Sequence, residues 1–241
     1  MELYLIRHAQ STNNALITQR DRVQDPPLTD IAHQQAQLVA EQVAHGPNFG
    51  SMTTESVEAT GGGIREGLGL TRLYCSAMWR ALQTTEPIGR ATGLTPEVWL
   101  DIHEHGGIFL DHHDGKGPIG YPGKSRAEIL ERFPNYVLPD EITDKGWWNR
   151  PYEGWPECHG RAIKVVRQLL NWAETEERIG LVTHGGFMDA LLKAFFRQLP
   201  SATFWYHHNN TAITRLDIYP DSRFGLRFLN RIDHLPPKLV T

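Results

Sequence analysis

The sequence predicts an α/β fold of three layers, in which a mostly parallel sheet lies between helices on both faces. Three short apolar runs support this prediction, and they cover residues 2 to 6, 73 to 75 and 179 to 183. Each run is typical of a buried strand, and each precedes a segment with helical spacing of its apolar residues. Because a parallel strand needs a long crossover connection, this recurrence of strand, turn and helix favours a parallel sheet.

The remaining elements follow the same patterns. The predicted helices cover residues 28 to 43, 79 to 92, 160 to 175 and 187 to 196. The predicted late strands cover residues 211 to 218 and 226 to 232. We expect Pro87 to kink the second helix or to mark its end, since proline lacks the N–H that a helix interior requires. Ile163 is expected on the apolar face of the third helix.

Composition excludes several function classes. The 241 residues carry a formal charge of −4, and no basic stripe that would bind nucleic acid or an anionic membrane is visible. The first apolar run is too short for a signal peptide or a membrane span, so a cytoplasmic location is expected. Cys75 and Cys158 lack CxxC spacing and are expected to be reduced thiols.

We expect a single domain over residues 1 to 241 with two insertions, at about 45 to 70 and 106 to 156. The insertions are rich in glycine, proline or small polar residues and are expected to form a lid over the site. The triple glycine at 61 to 63 is not followed by the lysine of a phosphate-binding loop, which favours a flexible loop there.

Cationic side chains follow the three predicted strands. The first strand is followed by Arg7 and His8, the second by Ser76 and Arg80, and the third by His184 with Gly185 directly after it. The carboxyl ends of parallel strands meet at one edge of a sheet, where ligands of such folds bind. Two arginines and two histidines gathered there would repel each other without an anion, so the sequence indicates a phosphate-like ligand.

A histidine among arginines is a candidate nucleophile. Like charge is expected to lower the pKa of His8 and leave a neutral ring nitrogen at pH 7 that can attack phosphorus. Gly185 would let the backbone approach the phosphoryl group closely and places a helix amino terminus nearby.

Four segments together resemble the histidine phosphatase superfamily, also called the phosphoglycerate mutase-like family. "LIRHAQSTNN" is similar to the family's RHG signature, and "DPPLTDIAHQQA" to its PLTxxGxxQA segment. "YCSAMWRALQTT" resembles the SPLxRAxQTA segment, and "LVTHGGFMDALL" the VxHGG segment. The matches occur in the family's order over about residues 3 to 195.

The resemblance implies a phosphoglycerate mutase-like fold and a role for each matching residue. His8 would form the phosphohistidine, and Arg7, Arg80 and His184 would bind the phosphate. Asn14 matches the family's pocket asparagine and Gln10 its variable neighbour, so both are expected to bind substrate. Ala9 and Ala32 replace family glycines, which puts phosphate affinity rather than mechanism in doubt.

Further residues match the family less closely. "WPECHGRA" is similar to the GESxxxxR region, and Glu157 and Arg161 there are expected to be structural. The family carries a glutamate acid before a glycine, which here is Glu104, with Asp101 as the second choice. A carboxyl beside phosphate should have a raised pKa, so that it protonates the leaving oxygen and later takes a proton from water. This scheme needs no metal and no cofactor.

Three other functions stay open. The family also contains phosphoglycerate mutases, although the additional segments of the glycolytic enzymes are not recognisable here. A metal-dependent phosphoesterase would use the His, Asp and Glu residues of 101 to 114, with His112 and His113 otherwise in a solvated loop. A non-catalytic binder of phosphorylated ligands would be expected to lose a pocket residue, and none is missing.

Substrate identity should depend on the second insertion. Trp148 and Arg150, with Trp147 and Tyr152 beside them, could stack on a flat group or hold a second anion, and the alternative is that the tryptophans pack the lid onto the domain. The expected partner is a small-molecule phosphate ester, without nucleic acid or membrane, and a homodimer stays open.

Overall fold

The computed structural model describes residues 1–47, 66–201, 203–221 and 223–241. The strands in chain order are β1 (Glu2–Arg7), β2 (Arg72–Cys75), β3 (Glu97–Val98), β4 (Phe109–Asp111), β5 (Pro118–Gly120), β6 (Arg178–Thr183), β7 (Ile213–Ile218) and β8 (Phe224–Arg231). The α-helices are α1 (Asp30–His45), α2 (Trp79–Thr92), α3 (Arg126–Arg132), α4 (Trp155–Asn171) and α5 (Gly185–Phe195).

Six strands form the central sheet in the order β3-β2-β6-β1-β7-β8. The first four are parallel, and β7 and β8 add an antiparallel edge. The sheet is therefore mostly parallel, which confirms the predicted fold class. Each of the three apolar runs lies within one of the central strands, at β1, β2 and β6.

Helices cover both faces of the sheet. Tyr4 and Ile6 pack in one buried cluster with residues of α1 and α2, whereas Leu3 and Leu5 pack in a second cluster with residues of α4 and α5. Successive side chains of a strand point to opposite faces. Because both faces are covered, every residue from 3 to 6 is apolar, as is typical of a strand buried on both sides.

Helices α2 and α4 differ from the prediction in three details. Helix α2 continues through Pro87 to Thr92. An interior proline costs about 3 kcal/mol, and burial of one whole helix face, including Leu82 and Ile88, offsets this cost. Helix α4 begins at Trp155 instead of 160, because Gly154 is its N-cap and Pro156 lies in its first turn, where proline is tolerated. Ile163 is exposed rather than on the buried face.

The two insertions are described to different extents. Residues 48 to 65 of the first, with the triple glycine at 61 to 63, lie outside the described residues. The second contains the antiparallel pair β4 and β5 and then α3, which begins with a capping box between Ser125 and Glu128. Phe133 and Tyr136, which follow α3, pack in the same buried cluster as α2.

Both cysteines are buried thiols that form no disulfide. Burial raises the pKa of Cys75 and of Cys158 to about 12, so neither is a thiolate at neutral pH. No helix in the described part of the chain combines the length and apolar character that crossing a bilayer requires.

Candidate active site

The two site histidines lie side by side at the carboxyl ends of adjacent strands. Arg7 at the end of β1 pairs in register with Thr183 at the end of β6. The register continues one residue further, because the backbone N–H of His8 donates to the carbonyl of Thr183 at 2.9 Å. The ring centroids of His8 and His184 are 5.0 Å apart, about one strand spacing.

Two hydrogen bonds determine the tautomer of His8. Its Nδ1 lies 2.6 Å from the carbonyl oxygen of Ala9, which can only accept, so Nδ1 carries the proton. Nε2 then accepts a hydrogen bond from Nε of Arg80 at 3.1 Å. Burial lowers the pKa of His8 well below its ordinary 6.5, and the charges of Arg80 and Arg7 lower it further. The expected neutral ring is present, but burial is a larger cause than like charge.

A buried carboxyl holds Arg80 from the other side. Nη1 of Arg80 lies 3.8 Å from Asp25, whose side chain is 8% exposed. The N–H of Trp79 donates to both oxygens of Asp25, at 3.1 and 3.3 Å. Burial raises the pKa of Asp25 to about 6, although Arg80 opposes this shift. Asp25 was not predicted from the sequence, where its only signal is an acidic residue directly before the PPLT segment.

Arg7 and His184 face the same edge of the sheet. Nη1 of Arg7 donates to the carbonyl of His208 at 2.5 Å. Gly185, the first residue of α5, leaves room for this arginine, because a Cβ there would lie 3.3 Å from Nε of Arg7. His184 is fully buried, and neither ring nitrogen has a hydrogen-bond partner among the described residues. Burial lowers its pKa well below 6.5, with Arg80 as the next cause.

Glu104 is the carboxyl that the structure brings to the site. Its Oε1 accepts from the N–H groups of Phe187 at 2.8 Å and His105 at 2.9 Å, and its Oε2 accepts from Gly186 at 3.2 Å. Two of these donors belong to the first turn of α5, where the helix dipole favours an acceptor. Asp101, the second choice, instead pairs with Lys164 at 2.7 Å, outside the cleft.

A cleft of about 420 Å³ borders Arg80 and Glu104, whereas Arg7, His8, His184 and Gly185 are not among the residues that line it. It is lined by Asn13, Arg22, Gln24, Pro26, Arg80, Glu104, His105, Gly107, Phe109, Leu110, Asp111, His113, Trp155, Gly186 and Trp205. Arg80 and Glu104 were singled out from the sequence for this site. Trp155 and Trp205 were not, because they lie 50 residues apart in a chain with seven tryptophans.

Trp148 and Arg150 are not brought to the cleft, contrary to the expectation that they bind substrate. Trp148 is 1% exposed and packs edge to face on His103, with ring centroids 4.8 Å apart. Gly107 permits this packing, because a Cβ there would overlap the indole ring. The guanidinium of Arg150 lies over the ring of Trp148, 4.5 Å from its centroid, and its residue is exposed. Trp147 and Trp148 belong to the buried cluster under α2.

Gln10 and Asn14 also lie outside the cleft lining. Oε1 of Gln10 accepts from Oγ1 of Thr29 at 2.9 Å. Oδ1 of Asn14 accepts from the N–H and hydroxyl of Ser11, at 3.1 and 3.0 Å. Asn13, which precedes Asn14, lines the cleft instead. Its side-chain amide donates to the carbonyl of Val23 and accepts from the backbone N–H of Val23.

Arg161 is buried in a network of ion pairs and hydrogen bonds, in agreement with a structural role. It forms a two-pronged ion pair with Glu153, at 2.8 and 2.6 Å, whereas Glu157 is exposed. Burial alone would raise the pKa of Glu153, but its hydrogen bonds from Arg161 hold it at about 2. Arg161 also donates to the carbonyls of Asp101 and His103, directly before Glu104. This network fixes the segment that carries the cleft carboxyl.

The histidines and acids of 101 to 114 do not converge. His112 contacts the hydroxyl of Tyr121 at 2.7 Å, and His113 lies 3.8 Å from Asp111. In residues 1–47, 66–201, 203–221 and 223–241, no group of three or more His, Cys, Asp or Glu is arranged to hold a metal ion.

Ala9 and Ala32, the two alanines at family glycine positions, lie in one small buried cluster with Leu28 and Ala36. The methyl groups of Ala9 and Ala32 therefore pack with Leu28 and Ala36 in the protein interior.

The chain belongs to the histidine phosphatase superfamily, branch 1, whose family model matches residues 3–56 and 51–231. The arrangement of His8, Arg80 and His184 agrees with membership of this family. One curated relative, the PE-PGRS family protein PE_PGRS11 of Mycobacterium tuberculosis, is 30% identical over 108 residues. That match covers 44% of this chain and 15% of the relative's length.

Solved structures share the fold at low identity. A mycobacterial glucosyl-3-phosphoglycerate phosphatase is 20% identical with a TM-score of 0.57, over 96% of this chain and 99% of that one. A phosphoserine phosphatase of Entamoeba histolytica is 18% identical with a TM-score of 0.56, over 98% and 99% of the two chains. A protein described as mycobacterial hydrolase 2 is 21% identical with a TM-score of 0.59, over 99% and 94%.

Proposed function

We propose that this protein hydrolyses a small-molecule phosphate monoester through a phosphohistidine on His8, without a metal ion. The observation that carries the proposal is the state of His8, whose neutral ring has its proton on Nδ1 and its lone pair on Nε2. A buried neutral imidazole with a directed lone pair is a competent nucleophile at neutral pH. The phosphatases with the same fold support hydrolysis over transfer to a second substrate.

The first half-reaction forms the bond from Nε2 of His8 to phosphorus and breaks the bond from phosphorus to the ester oxygen. Arg80 exchanges its hydrogen bond with His8 for one with a phosphoryl oxygen, and Arg7 and His184 donate to the others. Glu104 supplies the proton that the departing oxygen takes as it leaves as an alcohol. In the second half-reaction, water attacks phosphorus, Glu104 takes the water proton, and the N–P bond breaks to release phosphate.

The test is phosphate release from 4-nitrophenyl phosphate in excess EDTA. We expect wild-type activity to survive EDTA and the His8→Ala variant to lose at least about a thousandfold in kcat, because the attacking atom is removed. The matched control is His33→Ala, which removes an exposed histidine of α1 and should retain full activity. Rapid quenching with labelled substrate should trap a phosphoenzyme that is labile in acid and stable in alkali.

Loss of wild-type activity in EDTA, with recovery on adding a divalent ion, would overturn the metal-free route. Full activity of His8→Ala would overturn the phosphohistidine.

A further inference from the structure

Beyond Glu104, one side of the cleft is an aromatic wall, formed by His105, Phe109, Trp155 and Trp205. The rings of His105 and Trp155 are stacked, with centroids 3.7 Å apart and planes within 8°. Trp205 meets Trp155 edge to face at 5.0 Å. Burial lowers the pKa of His105 below 6.5, so its ring is neutral at pH 7 and adds to an uncharged surface.

The wall begins at the proposed general acid. The N–H of His105 donates to Oε1 of Glu104, and the N–H of Gly186 donates to Oε2. A Cβ on Gly186 would lie 2.7 Å from Oε1 of Glu104 and 3.4 Å from the Trp155 ring, so the ring and the carboxyl border the same point. The leaving group is attached to the oxygen that Glu104 protonates. It must therefore extend along the wall.

Contacts with Lys193 and Tyr152 hold residues of the aromatic wall in place. Lys193 lies 4.9 Å from the centroid of Trp205 and is 2% exposed. Its ammonium also donates to Asp189 and to the carbonyls of Ser201 and Phe204, which fixes the segment leading to Trp205. The hydroxyl of Tyr152 contacts Nε2 of His105 at 3.2 Å. A preformed surface costs a ligand little ordering free energy on binding.

The charges around the cleft do not favour an anionic leaving group. The wall contributes no lysine or arginine to the cleft lining. The cleft lining contains two arginines, Arg22 and Arg80, and Arg80 is held by His8 and Asp25. Glu104 and Asp111 line the same space, and a second carboxylate from the substrate would face them.

We propose that the aromatic wall binds the leaving group of the substrate and selects phosphate monoesters of flat, apolar alcohols over esters that carry a carboxylate. This inference rests on the proposed function, since it takes the alcohol side of the scissile bond to lie next to Glu104. Stacked aromatic contacts and the burial of a ring would both stabilise such a complex.

The test is calorimetric binding of three phosphonates, which are not hydrolysed: benzylphosphonate, methylphosphonate and phosphonoacetate. In the wild type, benzylphosphonate should bind at least about tenfold tighter than either of the others, which corresponds to about 1.4 kcal/mol. In Trp205→Ala this difference should fall below about threefold with unchanged methylphosphonate binding. Trp205→Phe keeps a flat ring and should retain most of the difference.

The matched control is Trp172→Leu. Trp172 lies at the opposite end of α4 from Trp155, about 25 Å along the helix at 1.5 Å per residue. It should leave all three affinities unchanged. Thermal melting of each variant separates loss of binding from loss of folding.

Equal binding of benzylphosphonate and methylphosphonate by the wild type would overturn the inference, as would tighter binding of phosphonoacetate or a full benzyl preference in Trp205→Ala. These outcomes are distinct from failure of the proposed function. A benzyl preference without any phosphate release would support binding at the aromatic wall and overturn the phosphatase activity. Metal-free hydrolysis without the preference would support the phosphatase activity and overturn the aromatic wall as a binding surface.

Discussion

The ring of His8 is oriented by the carbonyl of Ala9 and the guanidinium of Arg80, and these partners favour one tautomer of the neutral ring. The partner of Nδ1 is the carbonyl of Ala9 rather than a carboxylate, so no neighbouring acid compensates a positive ring. The tautomer with a lone pair on Nε2 is thereby favoured while the ring stays neutral. The nucleophile depends on Arg80 for its direction and on burial for its charge state.

Asp25 acts on His8 through Arg80 and should set a pH dependence. Burial raises its pKa to about 6, so the carboxylate that pairs with Arg80 exists above about pH 6 and is neutralised below it. We expect kcat/KM to fall as pH decreases through 6, because Arg80 then loses its anionic partner. In Asp25→Asn, kcat/KM at pH 7.5 should be about tenfold lower, equivalent to about 1.4 kcal/mol of transition-state stabilisation.

The comparison uses one substrate for both proteins, because the ionisation of the phosphate ester contributes equally to each pH profile. The ratio of wild-type to variant kcat/KM should rise with pH around 6. A ratio that is constant from pH 5 to 8 would show that Asp25 is only structural. Asparagine keeps an oxygen to accept the N–H of Trp79, so the start of α2 is preserved.

Glu104→Gln should reveal a general acid by its dependence on the leaving group. With benzyl phosphate, whose alcohol needs a proton to depart, kcat/KM should fall by about a hundredfold or more. With 4-nitrophenyl phosphate, whose phenolate leaves without a proton, phosphorylation should slow by less than about tenfold. Single-turnover kinetics measure this step without the later hydrolysis of the phosphohistidine.

Asp101→Asn provides the control, since its carboxylate pairs with Lys164 outside the cleft. It should change neither rate. If Glu104→Gln slowed both substrates by the same factor, Glu104 would be assigned to the positioning of the α5 amino terminus instead of proton transfer.

Single residues in the sequence were enough to predict the site residues that follow strands, but not the other residues of the site. Arg7, His8 and His184 are found because strand ends share one edge of the sheet. Asp25 lies on a loop, and its role depends on which guanidinium it meets. Trp148 shows the reverse problem, because an aromatic residue in an insertion can line a cleft or fill a core, and only the packing around Gly107 decides.

At the scale of elements, period and composition locate the longer helices and strands but not their ends, and they miss α3 and the short strands β3, β4 and β5. The 14 residues of α2 were predicted with the correct bounds, although Pro87 suggested an earlier end. The start of α4 was missed by five residues, because Gly154 and Pro156 favour both a loop and a helix amino terminus. Whether a helix continues through a proline, or begins at one, depends on burial in the tertiary structure, which local sequence patterns do not show.

Helix α5 contains a buried ion pair whose loss should be costly. Lys193 and Asp189 are 2% and 1% exposed, and their charged atoms are 2.7 Å apart. In Lys193→Met the carboxylate stays buried without its cation, so the free energy of unfolding should fall by about 3 to 5 kcal/mol. Urea denaturation followed by circular dichroism measures this change.

The matched control is Lys164→Met in α4, where the lysine side chain is 69% exposed and pairs with Asp101. Removing that surface pair should change stability by less than about 1 kcal/mol. Similar effects of the two substitutions would contradict a buried, uncompensated Asp189. The wall residue Trp205 should also lose its support in Lys193→Met, which would weaken benzylphosphonate binding.

At the scale of the whole molecule, the site is assembled from distant parts of the chain. His8, Arg80, Glu104 and His184 come from four separate segments, and Trp205 adds a fifth. The fold class could be predicted because it depends on repeated local patterns. The wall of the cleft could not, because it depends on how the second insertion and the loop before β7 meet above the sheet.

The strand order affects how the chain can fold while it is being translated. Strand β6 lies between β1 and β2 in the sheet, yet it is made more than 100 residues after β2. Until residue 183 has emerged, the two earliest strands lack the neighbour that joins them, and His8 lacks the carbonyl that accepts its backbone N–H. Such distant pairing slows folding and leaves strand edges exposed meanwhile. The edges of β1 and β2 that face β6 therefore stay unpaired until β6 has been made, and only then does His8 gain the acceptor of its backbone N–H.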